Sequence, residues 1–279
     1  MNKKIKLAVI LTCYNRRLKT QKCLASLFKN TFTKIKYDVF LVDDNSTDGT
    51  SEMIKNNFPL VNVIKGTGNL FWNRGMHLAW ESASINDYDS YLWLNDDTYL
   101  KNNALKSIYY AHMEKPNSIL VGTLLNDTIN NKSKNISYGG RLLKSRYNIV
   151  IPDKNFTRCD IFNGNCVLVP RSVFLKLGNL DYYFRHSYGD FEYGLRALKN
   201  NIKSYVIKGY LGYCKKDYGE GDYTFLSNKY SIAKRFKLLY SPLGKNPFEA
   251  FHISIKYNSI IYSILVFIKL HLNVIFRLK

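Results

Sequence analysis

Short apolar runs, each cut off by a polar cluster, most constrain what this chain can fold into. Leu7–Thr12, Tyr37–Val42, Val61–Ile64 and Tyr91–Leu94 are rich in β-formers and too short for helices, which predicts buried strands. Between them lie stretches of helical spacing: Cys23, Leu24, Leu27 and Phe28 within Lys19–Lys29, and the segment Asn73–Ser84. A helix near 102–112, strands at Ile119–Leu124 and Cys166–Val169, and a helix at Gly189–Lys199 continue the series. Strand–helix alternation with short links predicts an α/β fold, a mostly parallel sheet flanked by helices. In such sheets ligands bind beyond the carboxyl ends of the strands, near the point where strand order reverses. The polar clusters Tyr14–Arg17, Asp43–Asp48, Gly66–Asn69 and Asn95–Asp97 all follow predicted strands. That coincidence is a stronger functional signal than any one cluster.

A chain of 279 residues fits one large domain and an appendage, expected at 1–210 and 211–279. Hydrophobic residues at 46% exclude a disordered chain. The net charge of +20 favours an anionic partner: a phosphorylated substrate, an acidic membrane surface or nucleic acid. Residues 201–279 carry 13 Lys/Arg against 4 Asp/Glu. Acidic clusters at the strand ends argue against nucleic acid in that cleft, because they repel phosphate unless a metal intervenes. Cys13, Cys23, Cys159, Cys166 and Cys214 are scattered, so neither a zinc site nor a disulfide framework is expected. Leu7–Leu11 is too short for a secretory signal, and a cytoplasmic location is expected, peripheral on the inner membrane face if the tail binds lipid.

Asn126–Arg158 is polar and predicts loops and a hairpin over the pocket. Two helices are expected near 225–240 and 248–276, and from Ile253 onward the chain reads as one long helix. Ile261, Leu265, Ile268, Leu272 and Ile275 share one face of it, and Lys269, Asn273 and Arg277 share another. Lys269, His271 and Asn273 interrupt the apolar run, which argues against a membrane span. An interfacial helix on an anionic membrane, or a helix packed back on the domain, fits the pattern.

Asn95-Asp96-Asp97 places two adjacent carboxylates at a strand end, and a hard divalent ion relieves their repulsion. Asp43, after the second strand, suits a ribose hydroxyl or a base N–H. Ser46 and Asp48 suit capping of the next helix. Thr12, Tyr14 and Arg16 close the first strand, where an arginine meets a base or a phosphate. Each cluster alone also reads as an Asx-turn or a helix cap. No G-x-G-x-x-G or P-loop pattern is present.

Taken in order, these pieces resemble family 2 glycosyltransferases with the GT-A fold, a Rossmann-like sheet, and among them the rhamnosyltransferase-like group. Thr12–Arg16 looks like T-x-x-N-R, and Val42–Thr50 looks like V-D-[DN]-x-S-x-D-G-T. Gly68–Met76 is similar to the family's G-N stretch, and Asn95–Asp97 stands in the place of the DxD motif. Asn163–Arg171 looks like G-x-x-x-L-x-x-R, and Gly189–Arg196 looks like E-D-x-D-x-x-x-R. The resemblance implies inverting transfer of a sugar from a nucleoside-diphosphate sugar, UDP- or dTDP-linked, to a lipid-linked or oligosaccharide hydroxyl. It implies a divalent metal, Mg2+ or Mn2+, on Asp97 with Asp96 beside it, and Asp190 as the base. Asp43, Thr12, Tyr14 and Arg16 would then line the nucleotide pocket, and Asn69 and Arg74 would approach the base or diphosphate. Glu192 would orient the acceptor or pair with Arg196, and Trp72 would stack on a ring. Three departures stand out: Asn95 for the first aspartate, Gly189 for a glutamate, and no histidine near Lys208–Cys214. The alternatives are a nucleotidyltransferase, which would want a glycine-rich phosphate loop after the first strand, and a catalytically inactive homologue that binds nucleotide or membrane.

Overall fold

The computed structural model describes residues 4–126, 135–144, 148–216, 224–227 and 229–276. The first half alternates as expected: β1 (Ile5–Cys13), α1 (Arg17–Lys29), β2 (Ile35–Asp43), α2 (Thr50–Asn57), β3 (Val61–Lys65), α3 (Phe71–Ser84) and β4 (Ser90–Leu94). Then come β5 (Tyr99–Leu100), α4 (Ala104–Glu114) and β6 (Ile119–Leu125). The polar stretch that follows carries the short strands β7 (Ile136–Tyr138), β8 (Gly140–Leu142), β9 (Asn148–Ile149) and β10 (Thr157–Cys159). Residues 127–134 and 145–147 of that stretch lie outside the described residues. β11 (Ile161–Phe162), β12 (Cys166–Pro170), α5 (Arg171–Leu177), α6 (Gly189–Lys199) and β13 (Ser204–Tyr213) complete the α/β body. The tail holds α7 (Ile232–Leu239), α8 (Pro247–Tyr257) and α9 (Ile260–Phe276).

The main sheet runs β10-β13-β6-β12-β4-β1-β2-β3. β1 is parallel to β2 and to β4, while β12 is antiparallel to β4 and β6. Strand order reverses at β1, so the ends of β1 and β4 open side by side where a ligand cleft is expected. Period-two alternation divides the core. Leu7, Val9 and Leu11 face a cluster with Cys23, Leu24, Leu27 and Ile108, while Ala8 and Ile10 face one with Met76, Trp80 and Tyr193. Trp93 is wholly buried in that second cluster, 5.2 Å from the ring of Trp80, and is a core residue.

The expected single helix after Ile253 is two. The chain leaves α8 at Asn258 in extended backbone (φ −133°, ψ 178°) and turns back as α9, with Ser263 Oγ donating to Ser254 Oγ at 2.9 Å. Tertiary contacts, not a helix breaker, make the bend, because α8 is clamped to the body. Arg185 Nε donates to Glu249 Oε1 at 2.9 Å, and Lys256 Nζ donates to Asp181 Oδ2 and to Glu192 Oε1, both at 2.8 Å. Burial raises the Asp181 carboxyl, but bonds from Lys256 and His252 outweigh it and hold the group at about 2. Glu192, on α6, is fully buried and also accepts from Tyr257 Oη at 2.8 Å and Arg196 NH2 at 2.9 Å. Its partners are therefore α8 and Arg196.

A buried carboxylate with three donors is costly to disturb. Glu192→Gln is expected to lower unfolding free energy by about 1–3 kcal/mol and to loosen α8, as read by urea denaturation and hydrogen exchange. An unchanged midpoint with unchanged exchange in α8 contradicts the clamp.

Candidate active site

Asp43 ends β2 beside Cys13 of β1 and is buried. Its Oδ1 accepts from Ser46 N at 3.0 Å, and its Oδ2 accepts from the Ser51 hydroxyl. Ser46 Oγ in turn accepts from Asn15 N at 2.9 Å, Asn15 Oδ1 accepts from Thr47 N at 2.7 Å, and Asp48 Oδ2 accepts from Arg17 N at 2.9 Å. The loops after β1 and β2 are thus stitched together, and Asn15 takes a left-handed φ of 49° to do it. The N-cap of α2 is Gly49, at φ 80°, and not Asp48, whose Oδ1 accepts from Thr50 N at 3.1 Å across that turn; Ser46 serves the neighbouring loop instead of a helix. Asp44 gives α3 its N-terminal acceptor, taking Gly68 N, Leu70 N and Phe71 N at 2.7–3.2 Å.

The carboxylates that end β4 face β1. Arg16 NH1 lies 3.0 Å from Asp96 Oδ1 and 3.0 Å from Asp97 Oδ2. Burial pushes the Asp96 carboxyl up; Arg16 opposes the shift and Asp97 adds to it. Asp97 Oδ1 accepts from the Cys214 thiol at 3.3 Å, just beyond β13. Burial and the Asp97 charge keep that thiol far above its ordinary range, hence protonated. Asn95 does not join the acidic pair: its Oδ1 accepts from Trp72 Nε1 at 2.7 Å.

Trp72 carries the connection onward. A Cβ on Gly164 would lie 2.4 Å from the Trp72 ring and 3.4 Å from Asp190 Cβ, so the indole, this glycine and Asp190 are packed in contact. Asp190 sits in the first turn of α6, with Oδ2 accepting from Gly164 N at 2.9 Å and Oδ1 from Phe191 N at 2.8 Å. Burial raises its carboxyl to about 6 against those two bonds. Arg141 on β8 faces it: burial lowers this guanidinium and the Asp190 charge opposes the shift. Sequence reasoning missed Arg141, which lies in a polar stretch without pattern. Gly189 has its reason here too, since a Cβ there would collide with Asn73 Oδ1 at 1.7 Å. Asn73 clasps α3 to the loop before α6, donating to Asp181 O and Phe184 O at 2.8 and 2.9 Å.

Unbroken contacts therefore run from Asp43 through Ser46, Asn15 and Arg16 to Asp96 and Asp97, and from Asn95 through Trp72 and Gly164 to Asp190. The other singled-out residues lie around this path. Thr12 is buried against Gly75 of α3, and Tyr14 is 53% exposed. Asn69 is exposed on the turn before α3. Arg74 points at the loop before α6, donating Nε to Tyr182 O at 3.0 Å over the Tyr182 ring. A cavity of about 480 Å³ between Lys101–Ala104 and Tyr210–Tyr213 is lined by none of the cleft carboxylates.

The donor set suits a hard divalent cation in part. Asp96 and Asp97 offer oxygens, and the buried Asp96 Oδ2 has no hydrogen-bond partner among the described residues. Among those residues no group of three metal-ligating side chains forms.

Buried carboxylates on a β1–β4 switch point, with another at a helix start, define the class: an α/β protein with the GT-A fold and polar residues gathered at the strand ends. The family profile described as "Glycosyl transferase family 2" matches residues 8–178, more than half of the chain, and the chain belongs to this family. It is similar to the structure of S. aureus TarS 1-349 in complex with UDP-GlcNAc, with a TM-score of 0.60, 16% identity and coverage of 99% of this chain and 74% of that one. It is similar to the mannosyltransferase PcManGT from Pyrobaculum calidifontis, solved with GDP-Man and Mn2+, with a TM-score of 0.54, 15% identity and coverage of 95% and 70%. A curated relative, the poly(ribitol-phosphate) beta-glucosyltransferase of Bacillus spizizenii, is 28% identical over 124 residues, which are 43% of this chain and 19% of that protein. The chain thus spans about a fifth of that relative's length in the match.

The raised Asp190 carboxyl has a consequence for stability. Its folded-state value lies above the unfolded one of about 4, so it contributes stability that is full below about pH 4 and lost as pH rises. The loss is complete above the folded value of about 6. Asp190→Asn is expected to flatten that part of the curve, measured as urea midpoints from acid to neutral pH. Parallel curves for the two proteins contradict it.

Proposed function

We propose that this chain is an inverting glycosyltransferase that moves a sugar from a UDP- or dTDP-linked donor to a hydroxyl of a lipid-linked or oligosaccharide acceptor, in the synthesis of a cell-surface polymer. The observation that carries the reading is the contact path Asn95–Trp72–Gly164–Asp190, which holds a base candidate and an acidic pair in one frame. The poly(ribitol-phosphate) relative and the nucleotide-sugar complexes of TarS and PcManGT support the substrate class. A rhamnosyltransferase-like donor choice belongs to the same proposal.

Asp97, with Asp96 beside it, would hold Mg2+ or Mn2+, whose chemistry there is Lewis-acid stabilisation of a leaving diphosphate. Asp43 would accept from the base or ribose, and Thr12, Tyr14 and Arg16 would line the nucleotide. Asn69 and Arg74 would meet its outer edge. Gly164, packed against the Trp72 ring, would lie under the donor sugar. Asp190, ionised, takes the acceptor's hydroxyl proton as that oxygen attacks from the face opposite the leaving group, which inverts the anomeric centre. Its two backbone donors fix the carboxylate plane while leaving lone pairs for that proton.

The tail would serve the acceptor. α9 exposes Ile261, Leu265, Ile268, Leu272 and Ile275, and no acidic residue follows Glu249. Arg277 lies outside the described residues. No helix among the described residues is long and apolar enough to cross a membrane. An apolar face on an acid-free segment is complementary to an anionic lipid surface, on which residues 211–279 would seat the body.

Asp97→Ala is expected to abolish Mn2+-dependent binding of nucleotide sugar, and Asp190→Ala to keep binding and lose transfer by at least a hundredfold, in calorimetry and transfer assays. Full transfer by Asp190→Ala removes it as the base. In the intact enzyme, kcat/KM is expected to rise with pH through about 6, since the base acts ionised. The double variant Leu265→Glu, Ile268→Glu is expected to stop co-sedimenting with phosphatidylglycerol vesicles, and unchanged pelleting rejects the tail's role.

A further inference from the structure

We infer that Arg16 is a built-in counter-ion that competes with a divalent cation for the Asp96–Asp97 pair, so that metal entry is coupled to arrival of the diphosphate. The inference rests on the proposed metal site and adds to it an order of assembly. Arg16 NH1 bridges Asp96 Oδ1 and Asp97 Oδ2 at 3.0 Å each. Of the two other oxygens, Asp97 Oδ1 accepts from Cys214 and Asp96 Oδ2 is buried. With the guanidinium in place, the carboxylate oxygens are capped or shut away from solvent. Two like charges do not share one carboxylate pair at this depth without mutual repulsion.

The bridge is asymmetric in a way that lets one partner leave. The Asp96 and Asp97 side chains are 7% and 13% exposed, whereas Arg16 is 39% exposed. The backbone under Arg16 is held by Asn15, whose amide and side chain are bonded to the β2 loop. The guanidinium can therefore swing on a fixed base. Arg16 lies at the N-terminus of α1, beside exposed Tyr14. A doubly charged diphosphate there competes for the guanidinium's paired donors, which match phosphate oxygens. The nucleotide thus draws Arg16 away and leaves the carboxylates to the ion. A site open a tenth of the time binds its ligand about tenfold more weakly than one always open.

The test is Mn2+ binding by nucleotide-free protein, read by the electron paramagnetic resonance signal of free Mn2+, with UDP binding in EDTA read by calorimetry. Arg16→Gln is expected to bind Mn2+ about tenfold more tightly than the parent and UDP at least threefold more weakly. Arg16→Lys, which keeps the charge, is expected to gain less Mn2+ affinity than Arg16→Gln. Mn2+ affinity in Arg16→Gln equal to or below the parent's overturns the inference, as does undiminished UDP binding. Asp97→Asn separates the two layers. If it abolishes Mn2+ binding while Arg16→Gln changes nothing, the metal site stands and the competition fails. If it too leaves Mn2+ binding intact, the proposed metal site fails and the competition falls with it.

Discussion

Two adjacent carboxylates at the buried end of a central strand are an electrostatic problem, and the structure around β4 is organised by it. Neither Asp96 nor Asp97 is well solvated, and burial and the neighbouring Asp97 charge both disfavour the charge on Asp96. Parallel pairing of β1 with β4 answers this, because it puts the loop after β1 beside the loop after β4. Arg16 then reaches both carboxylates with one nitrogen. Had β4 run antiparallel to β1, that arginine would sit at the opposite edge of the sheet, and the pair would need another cation. A sheet with its reversal point at β1 therefore positions the charge as well as the cleft.

The same region trades charge for framework. Asn95 stands where the family commonly has an aspartate, and its side-chain oxygen is taken by the Trp72 indole. Gly189 stands where the family commonly has a glutamate, and the space of its missing side chain is filled by Asn73. Both departures support one assembly, in which α3 is fastened to β4 on one side and to the start of α6 on the other. The cost is fewer acidic groups in the cleft. The gain is that Asp190 is fixed by two backbone N–H groups and by packing against Gly164.

Much of this was legible in the sequence where local physics decides structure. Strands β1 to β4 showed as short β-rich runs, and the turns after them carried the polar residues that build the cleft. The elements that stayed hidden are those set by distant contacts. β13 pairs with β6 through two register shifts, with Gly209 at φ 73°, which blurs any alternation. Cys214 reads as an unremarkable thiol until β13 brings it to Asp97. Arg141 gains meaning only when β8 lays it near Asp190. The break between α8 and α9 falls at Asn258-Ser259, with no proline or glycine, because salt bridges to Asp181 and Glu192 fix α8 while α9 packs back along it. Glu192 shows the same limit from the other side: its spacing to Arg196 was visible, but its burial under α8 was not.

The central claim is that Asp43, the Asp96–Asp97 pair and Asp190 frame one nucleotide-sugar cleft. The most direct measurement is a crystal structure of the protein grown with UDP and Mn2+, with data collected at the manganese absorption edge. The account predicts an anomalous peak within coordination distance of Asp97, the uridine against Asp43, and the diphosphate between them on the side that faces Asp190. Manganese away from Asp97, or a nucleotide seated elsewhere on the sheet, would contradict it.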